Sequence, residues 1–287
     1  MKDLMVCVIY NYGWDEVKNW ALSLVASGFK GRTVLLAYSV KPGLVEKLKE
    51  LGIECYLVDF HSRGEKVSIP PLKVIDIRHF HIWYFLDELG NEELSKYDYV
   101  ISTDVRDVIF QSNPSEWLHN RTTLGIGNII APSEGIQLQH EPWNAKFMYD
   151  GFGPIVYEKF KTVPVINCGT IAGRSVYFKD FELILFSLAE RNLRFNMDCI
   201  DQTSLTVLAY TVAKHDAVIV DHDEGWACQC GVMLDPQKVD AFRPHFISPE
   251  PVVKDGLVYT SKGKLFSIVH QYDRVPELSK AVRERYT

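Results

Sequence analysis

The first sixty residues alternate short apolar runs with amphipathic ones, and this alternation constrains the fold more than any other feature of the chain. Val6, Cys7, Val8, Ile9 and Tyr10 read as a buried strand, followed by a turn at Asn11, Tyr12 and Gly13. Residues 14–27 carry helical spacing in Val17, Trp20, Ala21, Leu24 and Val25 and close on Gly28. Residues 33–38 give a second strand, 42–51 a second helix and 55–60 a third strand. That order belongs to a parallel sheet with helices packed on its faces. The class expected is α/β, with a mixed, mainly parallel central sheet flanked by helices.

Beyond this point the pattern loosens. Residues 62–71 are polar, end on two prolines and read as a loop. An aromatic-rich helix is expected over 74–89, closing on Gly90, with Phe80, Trp83, Tyr84 and Leu86 as core candidates. Residues 97–103 form another strand, and 108–110 continue after a charged interruption. A strand is expected over 123–130, and 132–147, polar and aromatic, reads as a binding-surface insert. A short strand at 163–167, helices at 177–191 and 201–214, and a strand at 217–220 follow. No assignment is made for 224–258, which is rich in Gly, Pro and Cys. A late strand at 265–269 and a terminal helix at 277–286 complete the reading. No repeat, low-complexity tract or linker divides the chain. One domain over 1–287 is expected, with a nucleotide half over about 1–115 and an acceptor half over about 116–287.

Composition removes several classes of function. With 47% hydrophobic and 12% aromatic residues the chain can bury a large core, and a net charge of −6 leaves no basic face for nucleic acid. No apolar run approaches the roughly 20 residues of a membrane span. The apolar start lacks a small-residue cleavage site and runs into Trp14, Asp15 and Glu16, so a first strand is the better reading than a signal core. Asn120, Arg121 and Thr122 fit a glycosylation acceptor, which carries no weight without an export signal. The six cysteines (Cys7, Cys55, Cys168, Cys199, Cys228 and Cys230) show no zinc-finger spacing and read as free thiols of a reducing compartment. A cytoplasmic location is the expectation.

The strongest chemical signal is the run Ser102, Thr103, Asp104, Val105, Arg106, Asp107 at the end of a buried strand. Residues three apart in a continuous strand face opposite ways, so Asp104 and Asp107 share a ligand only if the chain turns between them. The apolar run stops at Thr103, which allows that turn. Carboxylates at the carboxyl edge of a parallel sheet sit where such sheets bind ligands, and hard oxygens suit Mg²⁺ or Mn²⁺ on phosphate. The alternative is a solvated turn in which Arg106 pairs with either Asp. A second apolar run, Phe266 to Val269, delivers His270 at its end, with Arg274 close behind. A neutral imidazole there adds a nitrogen ligand and shifts preference towards Mn²⁺, while the fork of Arg274 suits a diphosphate. The alternative is a hydrogen-bonded core histidine. Asn167, Cys168 and Gly169 end a strand with an amide side chain and a small residue, which suits a sugar hydroxyl or an ordinary tight turn. Asp201 and Gln202 open a helix, where Asp201 is either an N-cap or a functional carboxylate.

Taken together and in this order, these motifs resemble the glycosyltransferases of the GT-A fold, which use a nucleotide-diphospho-sugar and a bound divalent metal. In those families an Asp-x-Asp motif follows a buried strand. An Asn-x-Gly turn, an Asp-Gln or Gln-Asp helix start and a late His come after it. Asp104 and Asp107, Asn167 to Gly169, Asp201 with Gln202, and His270 fall in that sequence, so the resemblance spans nearly the whole chain. One departure stands out: two residues separate Asp104 from Asp107 where the usual motif has one.

The resemblance implies a single GT-A-like domain and a metal site of Asp104, Asp107 and His270 holding Mn²⁺ or Mg²⁺. It implies that Tyr10 and Asn11, with Arg78, Val105 and Arg106, border the nucleotide. Asn167 and Gly169 would face the donor sugar or acceptor, and Asp201 and Gln202 the chemistry. The reaction implied is transfer of a sugar, from a UDP-sugar by preference, to a glycan or other hydroxyl acceptor. An inverting enzyme also needs a carboxylate base, for which Asp201, Asp223 and Glu224 are the candidates. A dinucleotide oxidoreductase is excluded because Tyr10 to Trp14 is no Gly-x-Gly-x-x-Gly turn, and no Walker loop is present. A sugar-nucleotide nucleotidyltransferase and a non-catalytic sugar-binding relative remain as alternatives.

Overall fold

The computed structural model describes residues 2–58, 74–121, 127–193 and 200–286. The expected loop at 62–71, the end of the third strand at 59–60, residues 123–126 of the expected strand, Thr122 and Cys199 lie outside them.

The amino-terminal part runs β1 (Leu4–Tyr10), α1 (Trp14–Ala26), β2 (Arg32–Tyr38), α2 (Leu44–Glu50) and β3 (Glu54–Leu57). Next come α3 (Val74–Leu94), β4 (Tyr99–Thr103), β5 (Val108–Phe110), α4 (Pro114–Asn120) and β6 (Ile129–Gln137). The middle contains α5 (Pro142–Phe152), α6 (Pro154–Phe160), β7 (Pro164–Ile166), β8 (Thr170–Arg174) and α7 (Ser175–Leu193). Then follow α8 (Asp201–Tyr210), β9 (Ala217–Val220), β10 (Ala227–Gln229), α9 (Cys230–Met233) and α10 (Val239–Phe242). The chain closes with β11 (Val252–Lys254), β12 (Leu257–Tyr259), β13 (Ile268–His270) and α11 (Pro276–Arg285).

The main sheet has eight strands in the order β3-β2-β1-β4-β8-β6-β7, with β9 on β6. Its first half is parallel, as the alternating sequence requires: β3 on β2, β2 on β1 and β1 on β4. The β6–β9 pairing is parallel too, while β8 lies antiparallel to β4 and β6, and β7 antiparallel to β6. A mixed, mainly parallel sheet flanked by helices is therefore what forms.

Strand β1 shows why. Met5, Cys7 and Ile9 enter the core beneath α1 and α2, where Val17, Trp20 and Leu24 pack. Leu4 and Val6 enter the opposite core with Ile82, Phe85 and Leu86 of α3 and Phe178, Phe181 and Leu185 of α7. A strand covered on both faces needs a continuous apolar run, and β1 supplies one. Each large side chain taken fully out of water contributes about 1.5–3 kcal/mol.

Helix α3 is broken at Gly90, whose φ of 75° no helix admits, so the expected closure on that residue is reproduced. The expected insert at 132–147 is corrected. Its first part is strand β6, and only the remainder, from a short 3₁₀ turn into α5, crosses the surface. Helix α8 ends at Tyr210 rather than at 214, and the late strand runs over Ile268–His270 rather than 265–269. No described helix is long and apolar enough to cross a membrane.

A second, three-stranded sheet, β10-β13-β5, positions the site. The chain leaves the main sheet at Thr103 and enters this one at Val108, so the four residues between must turn. β13 pairs antiparallel with β5 and sets His270 opposite Val108, next to Asp107.

Candidate active site

The turn after β4 sends its side chains in different directions. The backbone N–H of Asp104 donates to the Gly169 carbonyl at 2.7 Å, tying the turn to the end of the β7–β8 connection. Val105 is buried in the core. Asp107 accepts at its carbonyl from Gln271 N–H at 2.7 Å, which fixes it against the strand carrying His270. The two carboxylates thereby face one point. His270 Nε2 lies 3.4 Å from Asp104 Oδ2 and 3.7 Å from Asp107 Oδ1.

The imidazole orientation is set from behind. His270 Nδ1 donates to Gln229 Oε1 at 2.7 Å, and Gln229 Nε2 donates to Thr170 Oγ1 at 3.0 Å. Among the described residues Nε2 has no hydrogen-bond partner; it is buried and aimed between the carboxylates. Two hard oxygens and one imidazole nitrogen, with the second ring nitrogen anchored, form a donor set that fits Mn²⁺ or a similar divalent cation. Without a cation, burial favours the neutral imidazole, but Asp104 and Asp107 outweigh it and raise the His270 pKa.

Arg78, on α3, connects this triad to the rest of the cleft. Its guanidinium donates to Asp104 Oδ1, to Asp201 Oδ2 at 2.8 Å and to the Cys168 carbonyl at 3.3 Å. Burial opposes ionisation of Asp104, yet Arg78 and His270 prevail and hold its carboxyl well below the usual range. Asp201 is likewise lowered against its burial, first by Arg78 and then by His79. Asp107 goes the other way: burial raises it, and the nearby Asp104 charge adds to that. Asp201 is the first residue of α8, but Ile200 holds the cap position, and Asp201 spends its oxygens on Arg78 and on its neighbour's N–H.

These groups line a cleft of about 340 Å³. Asp104, Asp107, His270, Arg78, Asn167, Gly169, Asp201, Gln202 and Arg274 all reach it. Tyr10 and Asn11 do not line it. The Tyr10 ring is 55% exposed, and Asn11 makes a left-handed turn whose N–H donates to Ser39 O. Tyr12, two residues on, is half-buried, which raises its phenol pKa, and it feels the charges of Arg106, Asp104 and Asp107. Arg106 is half-exposed beside Asp107 and Asp273, at 3.4 and 3.7 Å. Of the three base candidates only Asp201 faces the cleft. Asp223 is tied to Lys262 at 2.9 Å, and Glu224 lines a separate pocket with Trp117 and Lys264.

The sequence reading missed Glu134, Glu141, Trp143, Asn144 and Lys238, all of which line the same cleft. Glu134 accepts from Asn167 Nδ2 at 2.8 Å and from Gln202 Nε2 at 3.0 Å. Its burial, reinforced by Glu141, raises its pKa. Gln202 Nε2 also donates to Asn144 Oδ1 at 3.1 Å. A lone acid within a strand that also holds Pro132 and Gly135 offers no periodic signal, and only the polar character of 132–147 pointed to this wall.

No protein-family model matches the sequence, and neither does any curated protein. Solved structures do match. The bifunctional glycosyltransferase WbbM superposes with a TM-score of 0.58 at 10% identity, over 98% of this chain and 49% of that one. The glycosyltransferase GlyE of Streptococcus pneumoniae TIGR4 gives 0.52 at 14%, over 94% and 54%. The chain thus spans about half the length of these two. The galactosyltransferase LgtC, solved with donor and acceptor sugar analogues, gives 0.50 at 12%, over 98% and 95%. The chain therefore has the GT-A-like α/β fold that these glycosyltransferases share.

Proposed function

We propose that this protein is a glycosyltransferase that moves a sugar from a nucleotide-diphosphate donor, a UDP-sugar by preference, to a hydroxyl acceptor. One observation carries the reading: a buried imidazole nitrogen, without a hydrogen-bond partner among the described residues, faces two carboxylates in a polar cleft. The shared fold supports it. Asp104, Asp107 and His270 would hold Mn²⁺ or Mg²⁺, which when bound neutralises the charge that develops on the leaving diphosphate.

The chain's own residues do the rest. Arg274 and Lys238 bring positive charge to the cleft for the diphosphate oxygens. Asn167, Gln202 and Glu134 form a buried network of donors and acceptors suited to sugar hydroxyls. Asp201, held ionised beside Arg78, is a weak base. Its part is to face the positive charge that grows on the sugar ring as the bond to phosphate breaks. The half-exposed indole of Trp143 stands at the rim, where an acceptor glycan would enter.

The test is a screen of UDP-, GDP- and dTDP-hexoses for Mn²⁺-dependent release of the nucleoside diphosphate. Release from a UDP-hexose supports the reading. Conversion of the NDP-hexose and added pyrophosphate to a nucleoside triphosphate and a hexose 1-phosphate would favour a nucleotidyltransferase, and binding without turnover a non-catalytic relative.

A further inference from the structure

Behind the cleft lies a buried charged group that the proposed chemistry leaves unused. Glu182, on α7, is fully buried, and its Oε2 sits 2.6 Å from His79 Nδ1. Its other oxygen has no hydrogen-bond partner among the described residues. A carboxylate is costly to bury unless a cation or donors compensate it, and His79 is the compensating group here. His79 is itself buried on α3, one residue from Arg78. A carboxylate only accepts, so Nδ1 carries the proton towards Glu182. Nε2 points the opposite way, 3.7 Å from Asp201 Oδ2 and 3.6 Å from Cys168 Sγ.

We propose that Glu182 and His79 are positioning residues: a carboxylate–imidazolium–carboxylate chain that holds Asp201 ionised and oriented towards the cleft. The inference rests on the reading of Asp201 given above. The charges alternate from Glu182 through His79 to Asp201, and Arg78 pairs with the same Asp201 oxygen, its Nε 3.4 Å from His79 Nε2. Burial alone would strip the proton from His79, but Glu182 outweighs it and raises the His79 pKa strongly, and Cys168 and Asp201 act in the same direction. The groups that face the imidazole are therefore Glu182, Asp201 and Cys168, with Arg78 beside them.

His79, Cys168 and Asp201 also lie close enough together to ligate a cation. The Asp201 oxygen that such a cation would need already accepts from the Arg78 guanidinium at 2.8 Å. Bound zinc is accordingly an outcome that would overturn the relay.

Glu182→Gln keeps the shape and removes the charge. Two measurements follow on the full chain. The first is the His79 titration by NMR. The imidazole should stay doubly protonated through neutral pH in the native protein and titrate at lower pH in the variant. The second is the rate on whichever UDP-, GDP- or dTDP-hexose shows the fastest Mn²⁺-dependent hydrolysis. In Glu182→Gln, kcat should fall on the order of tenfold to a hundredfold, with the donor KM little changed and with partial recovery towards acid pH. Should the single variant fail to fold, the pair Glu182→Gln with His79→Gln removes both charges together and should show the same loss of kcat. An unmoved His79 titration, or zinc at one equivalent that Cys168→Ala abolishes, overturns the relay. A moved titration with Asp201→Asn at native rate overturns it too, but traces the failure to the role assigned to Asp201.

Discussion

Gln229 Oε1 lies 2.7 Å from His270 Nδ1, so an amide side chain decides which imidazole nitrogen faces the two carboxylates. Gln229→Leu removes that anchor while leaving all three candidate metal ligands in place. Mn²⁺ affinity, measured by calorimetric titration, should fall about 10–100-fold with the far-UV circular dichroism retained. Unchanged affinity would mean that His270 needs no support from behind, or that it is no ligand.

Gly169 tests the same site by volume. A β-carbon there would stand 2.5 Å from His270 Cε1 and 2.7 Å from Asp104 Oδ2. Its φ is not left-handed, so the effect of a side chain is steric and confined to the site. Gly169→Ala should weaken Mn²⁺ binding by at least about tenfold while the protein still folds. Native affinity in this variant would show that the cation sits elsewhere.

Arg78 bridges Asp104 and Asp201 with separate nitrogens, which a lysine cannot do. Arg78→Ala takes the guanidinium from buried Asp201 and part-buried Asp104 and should destabilise the fold by about 3–5 kcal/mol in urea unfolding. Arg78→Lys keeps the charge but not the fork, and should retain more of the stability than of the turnover. Equal losses of both would reduce Arg78 to a structural cation.

His222 gives the pH dependence. Its Nε2 accepts the Gln229 N–H at 3.1 Å, and burial pushes its pKa down to about 4. A histidine whose folded pKa lies below its unfolded value of about 6.5 contributes stability that is complete above that value. The contribution is lost as pH falls from about 6.5 towards the folded value, on the order of 3 kcal/mol in all. Protonation also removes the acceptor that holds the Gln229 backbone. Urea unfolding at pH 7.5 and pH 4.5 should show this loss in the native chain and much less of it in His222→Gln. Equal slopes in the two proteins would contradict the assignment.

The alternation of the first sixty residues sufficed for the parallel half of the sheet, because strands covered on both faces must be apolar throughout. The turn between Asp104 and Asp107 was legible for a related reason: the apolar run stops at Thr103, and β4 ends there. What stayed hidden depends on distant pairings. β6 contains Pro132 and Gly135, which read as punctuation. In the fold Pro132 falls where β6 has left β8 and is about to meet β7. Glu134 was lost with it. The three-residue strands of the second sheet bring Gln229 to His270 by register alone, which no local pattern encodes. Tyr10 closes β1 and Asn11 follows it, as read from the sequence, but neither lines the cleft.

The central claim is that a metal held by Asp104, Asp107 and His270 supports transfer from a nucleotide sugar. The most direct measurement is release of UDP from a UDP-hexose by metal-stripped protein, with and without added Mn²⁺, for the native chain and for Asp107→Asn. The account predicts Mn²⁺-dependent release by the native protein and none above background by Asp107→Asn, with both proteins folded. Undiminished release after metal removal, or near-native release by Asp107→Asn, would contradict it.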